Sequence, residues 1–197
     1  MKKLYVFILF LSAIIPYDVY SQEITPKKIG ISMVPHKIIY SGLQLSVDYR
    51  LSNQNWLVFA PIVNLYDGGE SSNKNYKSLI GSGFDISFKH FTINKDLPNG
   101  GYVSMFSSYN YYELDMAASL TPTKMPVFIH TGSVGVLFGY QYISQDFLFV
   151  DIYGGVGLKA RKIEGKDEYF EDLTSDIWDF GYQGPVLKLG LKIGVFF

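Results

Sequence analysis

Three histidines, one short His–Ser sequence and one run of carboxylates are the residues in this 197-residue chain whose types and spacing could do chemistry. The histidines are His36, His90 and His130, and His130-Thr131-Gly132-Ser133 puts a histidine close to a serine. Such a pair becomes a nucleophile when the imidazole lies within hydrogen-bond reach of the hydroxyl and an acid orients it. Three scattered histidines make a poor zinc ligand set. The absence of cysteine removes thiolate metal sites and disulfide scaffolds together. No cofactor and no metal centre are expected, and no catalytic residue is assigned.

The densest group of charged side chains lies in residues 160–184. Glu164, Asp167, Glu168, Glu171, Asp172, Asp176 and Asp179 outnumber Arg161, Lys162 and Lys166 there. Tyr169, Phe170, Trp178 and Tyr182 are interspersed, and Phe170, Leu173, Ile177 and Phe180 recur at helical spacing. Carboxylates are the usual ligands of Ca²⁺, but the order of ligands in an EF-hand is absent. A solvated acidic loop is the simplest expectation, and extension of the flanking strands into a hairpin is another. The sharper expectation is a loop that binds an extracellular protein or a divalent cation through Glu164, Asp167, Glu168, Tyr169, Phe170, Glu171, Asp172, Asp176, Trp178 and Asp179.

Elements of period two must carry these groups. Alternating segments run over about 27–35, 41–51, 56–66, 79–91, 101–112, 131–143, 147–159 and 185–197. In the second, Leu43, Leu45, Val47, Tyr49 and Leu51 alternate with Gln44, Ser46, Asp48 and Arg50. In the last, Leu187, Leu189, Leu191, Ile193, Val195 and Phe197 share one face, opposite Lys188, Gly190, Lys192, Gly194 and Phe196. Pro61 removes a ladder donor and is expected to mark a bulge. The less apolar faces bring Asp48, Arg50, Asp85, Lys89, Asp151, Lys188 and Lys192 to a common interior. Asp151 and Lys192 fall at similar depth on adjacent strands and are expected to pair.

The links after the second, fourth and sixth segments are short, whereas those after the third, fifth and seventh are long. That asymmetry fits an all-β, eight-stranded, antiparallel, transmembrane up-and-down β-barrel. A lipocalin-like barrel has the same strand count with apolar residues inside, so a soluble barrel or sandwich stays open. Tyr49, Trp56, Phe88, Tyr140, Tyr142 and Phe197 at one end, with Tyr109 and Tyr111 at the other, are expected to form two aromatic girdles. Eight strands leave an interior that side chains fill, which disfavours a wide pore. The first strand is expected to pair with the last, since a membrane sheet cannot leave an edge unpaired.

Lys2 and Lys3, the apolar run Leu4–Ile15 and Val19-Tyr20-Ser21 have the layout of a secretory signal peptide, residues 1–21, leaving a single domain over 22–197. An uncleaved anchor is the alternative. The formal charge of −1 gives no basic footprint for nucleic acid. The 16 tyrosines and 15 phenylalanines suit a sheet facing lipid better than a soluble core.

The signal-like start, strand count, loop asymmetry and final Phe197 together resemble the small eight-stranded outer-membrane barrels, the group around OmpX and the OmpA transmembrane domain. The resemblance implies the outer membrane of a Gram-negative bacterium, with both termini periplasmic and Phe197 read by the outer-membrane assembly machinery. It also implies contact with the lipid bilayer and lipopolysaccharide, and it stops before any peptidoglycan-binding domain. Two classes of function fit: a non-enzymatic barrel acting through its surface loops or supporting the envelope, and a lipid-modifying enzyme. For the second, residues 130–133 are similar to the His-x-Ser-Asn motif of lipid A deacylases, but the serine is displaced by one and no Asn follows. A one-residue shift moves Ser133 to the face opposite that of the motif's serine. Fold alone cannot choose between the classes.

Overall fold

The structure, a computed structural model, describes residues 27–39, 42–67, 76–92, 98–116, 125–144, 147–164 and 182–197. The expected signal peptide and residues 167–179 of the acidic run lie outside them. The strands are β1 (Ile29–Met33), β2 (Gly42–Arg50), β3 (Asn55–Asp67), β4 (Tyr76–Phe91), β5 (Gly100–Met116), β6 (Met125–Ser144), β7 (Leu148–Glu164) and β8 (Gly184–Phe196). Each pairs antiparallel with its neighbours in sequence, and β1 meets β8 to close the barrel. One helical turn, α1 (Pro35–Ile39), follows β1.

Period two decides the facing. Along β2 every second residue is buried and its neighbours are exposed. The outward rows are apolar nearly all the way round: Leu43, Leu45 and Val47 on β2, Leu57, Phe59 and Val63 on β3, Ile80, Phe84 and Ile86 on β4. Val134, Val136 and Phe138 on β6, Ile152, Val156 and Leu158 on β7, and Leu187 and Leu189 on β8 continue the belt. From Leu148 to Leu158 on β7, a rise of about 3.3 Å per residue and a tilt near 40° give a belt about 25 Å tall. Tyr49, Phe88, Tyr140, Tyr142 and Phe197 edge it on the short-turn side, as the alternation predicts.

Four departures from the sequence reading have physical causes. Trp56, expected in the girdle, is 1% exposed inside the barrel, because it shares the inward face of β3 with Val58, Ala60 and Ile62. There it lies edge-on to Phe196 at 5.4 Å, and Phe196 stacks on Phe149 at 4.4 Å. These rings, with Phe91, Tyr102 and Phe106, plug the short-turn half of the lumen. Secondly, Pro61 makes no bulge. The β2–β3 register is the same on both sides of it, with only the pairs of Ala60 and Pro61 missing, while the β3–β4 ladder runs straight through Pro61↔Phe84.

Thirdly, strands on the long-loop side run further than the alternation suggested. β5 and β6 pair out to Met116↔Met125, and β6 and β7 out to Phe128↔Glu164. An inward cluster of Leu79, Leu114, Val127 and Ile129, with Tyr112 and Ile163 against it, supplies the buried face that sustains these extensions. His130 therefore lies within β6 rather than at its start. Ala160–Glu164 belongs to β7, so Glu164, placed in the loop by sequence, is a strand residue.

Fourthly, barrel closure rests on a short ladder. β1 and β8 pair only from Gly30↔Phe196 to Met33↔Ile193. The expected first strand ran on to Pro35, but proline has no N–H to donate and is well suited to the first turn of a helix. Among the described residues, Gly184–Lys192 of β8 are paired with β7 alone. On the side away from β7, α1 packs between β2 and β8 and covers the seam. Val34 is buried beneath it, its N–H donating to Gln44 O at 3.1 Å.

Glycines set the wall against the lumen rings. A Cβ at Gly139 would lie 2.3 Å from the Tyr102 ring, and one at Gly190 would lie 2.1 Å from the Tyr153 ring. Both tyrosines thus lie flat on bare backbone. Gly190→Ala is expected to lower the thermal unfolding midpoint by displacing Tyr153, at a cost of about 1–3 kcal/mol. Tyr153→Ala should absorb most of that cost in the double variant, and additive losses would disprove the contact.

Candidate functional site

The outward His130 is the first group to test for hydrolytic chemistry. Its Nδ1 is 2.8 Å from the Tyr109 hydroxyl, and its ring is 5.0 Å from that of Tyr111. Ser133 sits three residues along the same strand and faces the lumen, so the barrel wall separates the two side chains. His36 is on α1, and His90 is outward at the short-turn end with Nδ1 2.8 Å from Asn55 Oδ1. The three histidines share no site. Among the described residues, no three His, Cys, Asp or Glu side chains are placed to hold a metal ion.

Of the acidic run, only Glu164 is described. It accepts from Lys162 Nζ at 2.7 Å, outward and above the apolar belt. That hydrogen bond, with the attraction of opposite charges, holds the Glu164 carboxyl below its ordinary range and Lys162 above its own. Asp167, Glu168, Tyr169, Phe170, Glu171, Asp172, Asp176, Trp178 and Asp179 lie outside the described residues.

The best-built polar site is inside the barrel. Lys89 on β4 uses all three ammonium N–H groups: on Asp48 Oδ2 of β2 at 3.0 Å, Asp151 Oδ2 of β7 at 2.7 Å and Gln141 Oε1 of β6 at 3.1 Å. Asp151 Oδ1 accepts from the Tyr102 hydroxyl at 2.7 Å, and Asp48 Oδ1 from Ser46 Oγ at 2.9 Å. Lys89, Asp48 and Asp151 are all at most 2% exposed. A second pair lies toward the long loops. There Lys188 Nζ donates to Asp85 Oδ2 at 2.7 Å and Ser108 Oγ at 3.1 Å, and Gln44 Nε2 also donates to Asp85 Oδ2.

The seven charges read as inward from sequence are all inward, but their partners differ from expectation. Asp151 and Lys192 are cross-strand neighbours, as predicted. Asp151 nevertheless pairs with Lys89, because the lumen is narrow enough for a lysine of β4 to reach β7. Lys192 Nζ donates to Ser46 Oγ at 3.1 Å instead. Sequence reading named none of Ser46, Gln141 and Tyr102 as partners, although each has an inward position in the alternation. Between the two ion-pair groups remains a small cavity with room for about one water. Chemically this lumen can lock strands together.

No protein-family model matches the sequence, and no curated protein is significantly similar to it. Among solved structures, the chain is similar to the N-terminal β-barrel domain of Pseudomonas aeruginosa OprF. That likeness covers 87% of this chain and 98% of that one, with a TM-score of 0.41 and 10% identity.

Lys89→Met should leave Asp48 and Asp151 facing each other without their shared cation, destabilising the barrel by about 3–5 kcal/mol. The triple variant D48N/K89M/D151N should recover much of that loss in urea unfolding. A triple variant no more stable than Lys89→Met would show that the ions contribute through packing alone.

Proposed function

We propose that this protein is a non-enzymatic outer-membrane β-barrel, a sealed and rigid mount whose long connections meet the cell exterior. The observation that carries this reading is the closed barrel with a continuous apolar outer belt about 25 Å tall around a charged, hydrogen-bonded lumen. That is the inverse of a soluble ligand barrel, and it matches the apolar height of outer-membrane barrels. The bilayer and lipopolysaccharide would surround the belt. Phe197, outward at the short-turn end, suits recognition by the outer-membrane assembly machinery. Both termini then face the periplasm, because β1 starts and β8 ends beside the short turns.

The separation of His130 from Ser133 by the barrel wall weighs against lipid A hydrolysis. It favours interaction or envelope support through the long connections, since rigid scaffolds commonly carry function on such segments. Residues 165–183, the longest connection, retain the acidic and aromatic character that suits a basic extracellular partner or a bridging Ca²⁺.

Two measurements test this reading. After folding into lipid vesicles, Ile152→Arg should lose roughly 2–4 kcal/mol at the middle of the belt, while Lys162→Arg above it should behave as the parent. Equal stability of both variants would argue against a membrane belt. Deleting residues 166–179 should preserve folding, read as a shift in gel mobility on heating, and abolish Ca²⁺ binding measured by calorimetry together with adhesion to basic protein surfaces. If both forms of binding survive the deletion, the loop is not the interaction site. Hydrolysis of lipid A that disappears in His130→Ala would make the enzyme reading the better one.

A further inference from the structure

The lumen holds more buried cations than carboxylates, and the excess is local. Around the central cavity stand the ammonium groups of Lys89, Lys188 and Lys192, with Asp85 the one carboxylate among the lining residues. Asp48 and Asp151 lie beside them, but every oxygen of both already accepts from Lys89, Ser46 or Tyr102. Lys89 has no N–H left over, and Lys188 neutralises Asp85.

Lys192 is differently placed. It is 6% exposed, and its only hydrogen-bond acceptor among the described residues is the neutral Ser46 Oγ. The ring of Tyr153 lies 5.8 Å from its Nζ. Ser46 passes its own proton toward Asp48, so it brings Lys192 only a relayed share of that negative charge. Two of the three N–H groups of Lys192 therefore have no acceptor among the described residues, although the residue lines the cavity. A buried ammonium is expensive unless charge and hydrogen bonds compensate it.

We propose that the barrel lumen binds a small monovalent anion, of the size and charge of chloride, in the cavity beside Lys192. Lys192 Nζ is its principal donor, since Lys188 is already neutralised by Asp85. A cavity with room for about one water suits a monatomic anion better than phosphate or an organic carboxylate. The site lies within the wall network and does not depend on the long connections. It is a ligand site beyond the surface role proposed above, and it survives if that role fails.

The full chain, folded in detergent, provides the test. Its thermal unfolding midpoint is measured in sodium chloride and in sodium gluconate at equal ionic strength, and crystals are soaked in bromide for anomalous diffraction. A saturable rise of the midpoint with chloride over gluconate is expected, with a bromide peak at hydrogen-bond distance from Lys192 Nζ. Both should vanish in Lys192→Met and persist in Lys162→Gln, whose lysine is exposed outside the belt. Should Lys192→Met fail to fold, Ser46→Ala takes its place. Loss of the sole protein acceptor should then make the midpoint more dependent on chloride than in the parent. The proposal is overturned by a midpoint indifferent to the anion, by bromide found only at surface lysines, or by a chloride effect unchanged in Lys192→Met. A Ser46→Ala variant no more chloride-dependent than the parent overturns it equally.

Discussion

One buried ammonium sets the terms for the rest of this barrel. Lys89 reaches from β4 across the lumen and binds carboxylates on β2 and β7 and an amide on β6, so four strands converge on one nitrogen. Burying three charges is costly, and the cost is recovered only when geometry is good and every hydrogen bond is made. Here the requirement is met through Ser46, Tyr102 and Gln141, which complete the two carboxylates and fill the last donor. A one-residue slip of register on one strand would turn its charge to the outer face, among leucines. The network therefore opposes register errors as well as joining the strands.

The layers above and below it follow from the same constraint. Aromatic rings bury the charged centre at the short-turn end, where Phe196 packs against both Trp56 and Phe149. Toward the long connections an aliphatic cluster around Leu114 and Ile129 performs the same service. Gly139 and Gly190 let Tyr102 and Tyr153 lie against the wall, which aims the Tyr102 hydroxyl at Asp151. Side chains thus fill the lumen apart from the small central cavity. The seam between β2 and β8 is the exception in an otherwise continuous wall. There a helical turn stands where residues of β1 beyond Met33 would have continued the ladder.

The outside has a different logic. Its belt of leucine, isoleucine, valine and phenylalanine has no protein to pack on, and a monomer in water rarely exposes so large an apolar surface. A lone histidine on that surface is separated from Ser133 by the wall behind it. His130 is committed to Tyr109 and Tyr111, and the nearest serine in sequence points inward.

Period two was enough to read the eight strands, the apolar outer face and the seven inward charges from the sequence, because facing depends only on residue parity within a strand. Strand ends were less legible. Extension of β5, β6 and β7 depends on a cluster assembled from Leu79, Leu114, Val127 and Ile129, residues up to about 50 apart in sequence. Trp56 was misassigned because an aromatic near a strand end suits either face, and only its parity with Val58 and Ala60 distinguishes them. Partner choice was beyond sequence altogether. Adjacent strands suggested Asp151 with Lys192, and their register is indeed aligned, yet Lys89 takes the carboxylate from across the barrel. The distance across a closed lumen is set by strand number, tilt and stagger acting together. No local pattern contains it, so the charges were legible in sequence while their pairing was decided by closure.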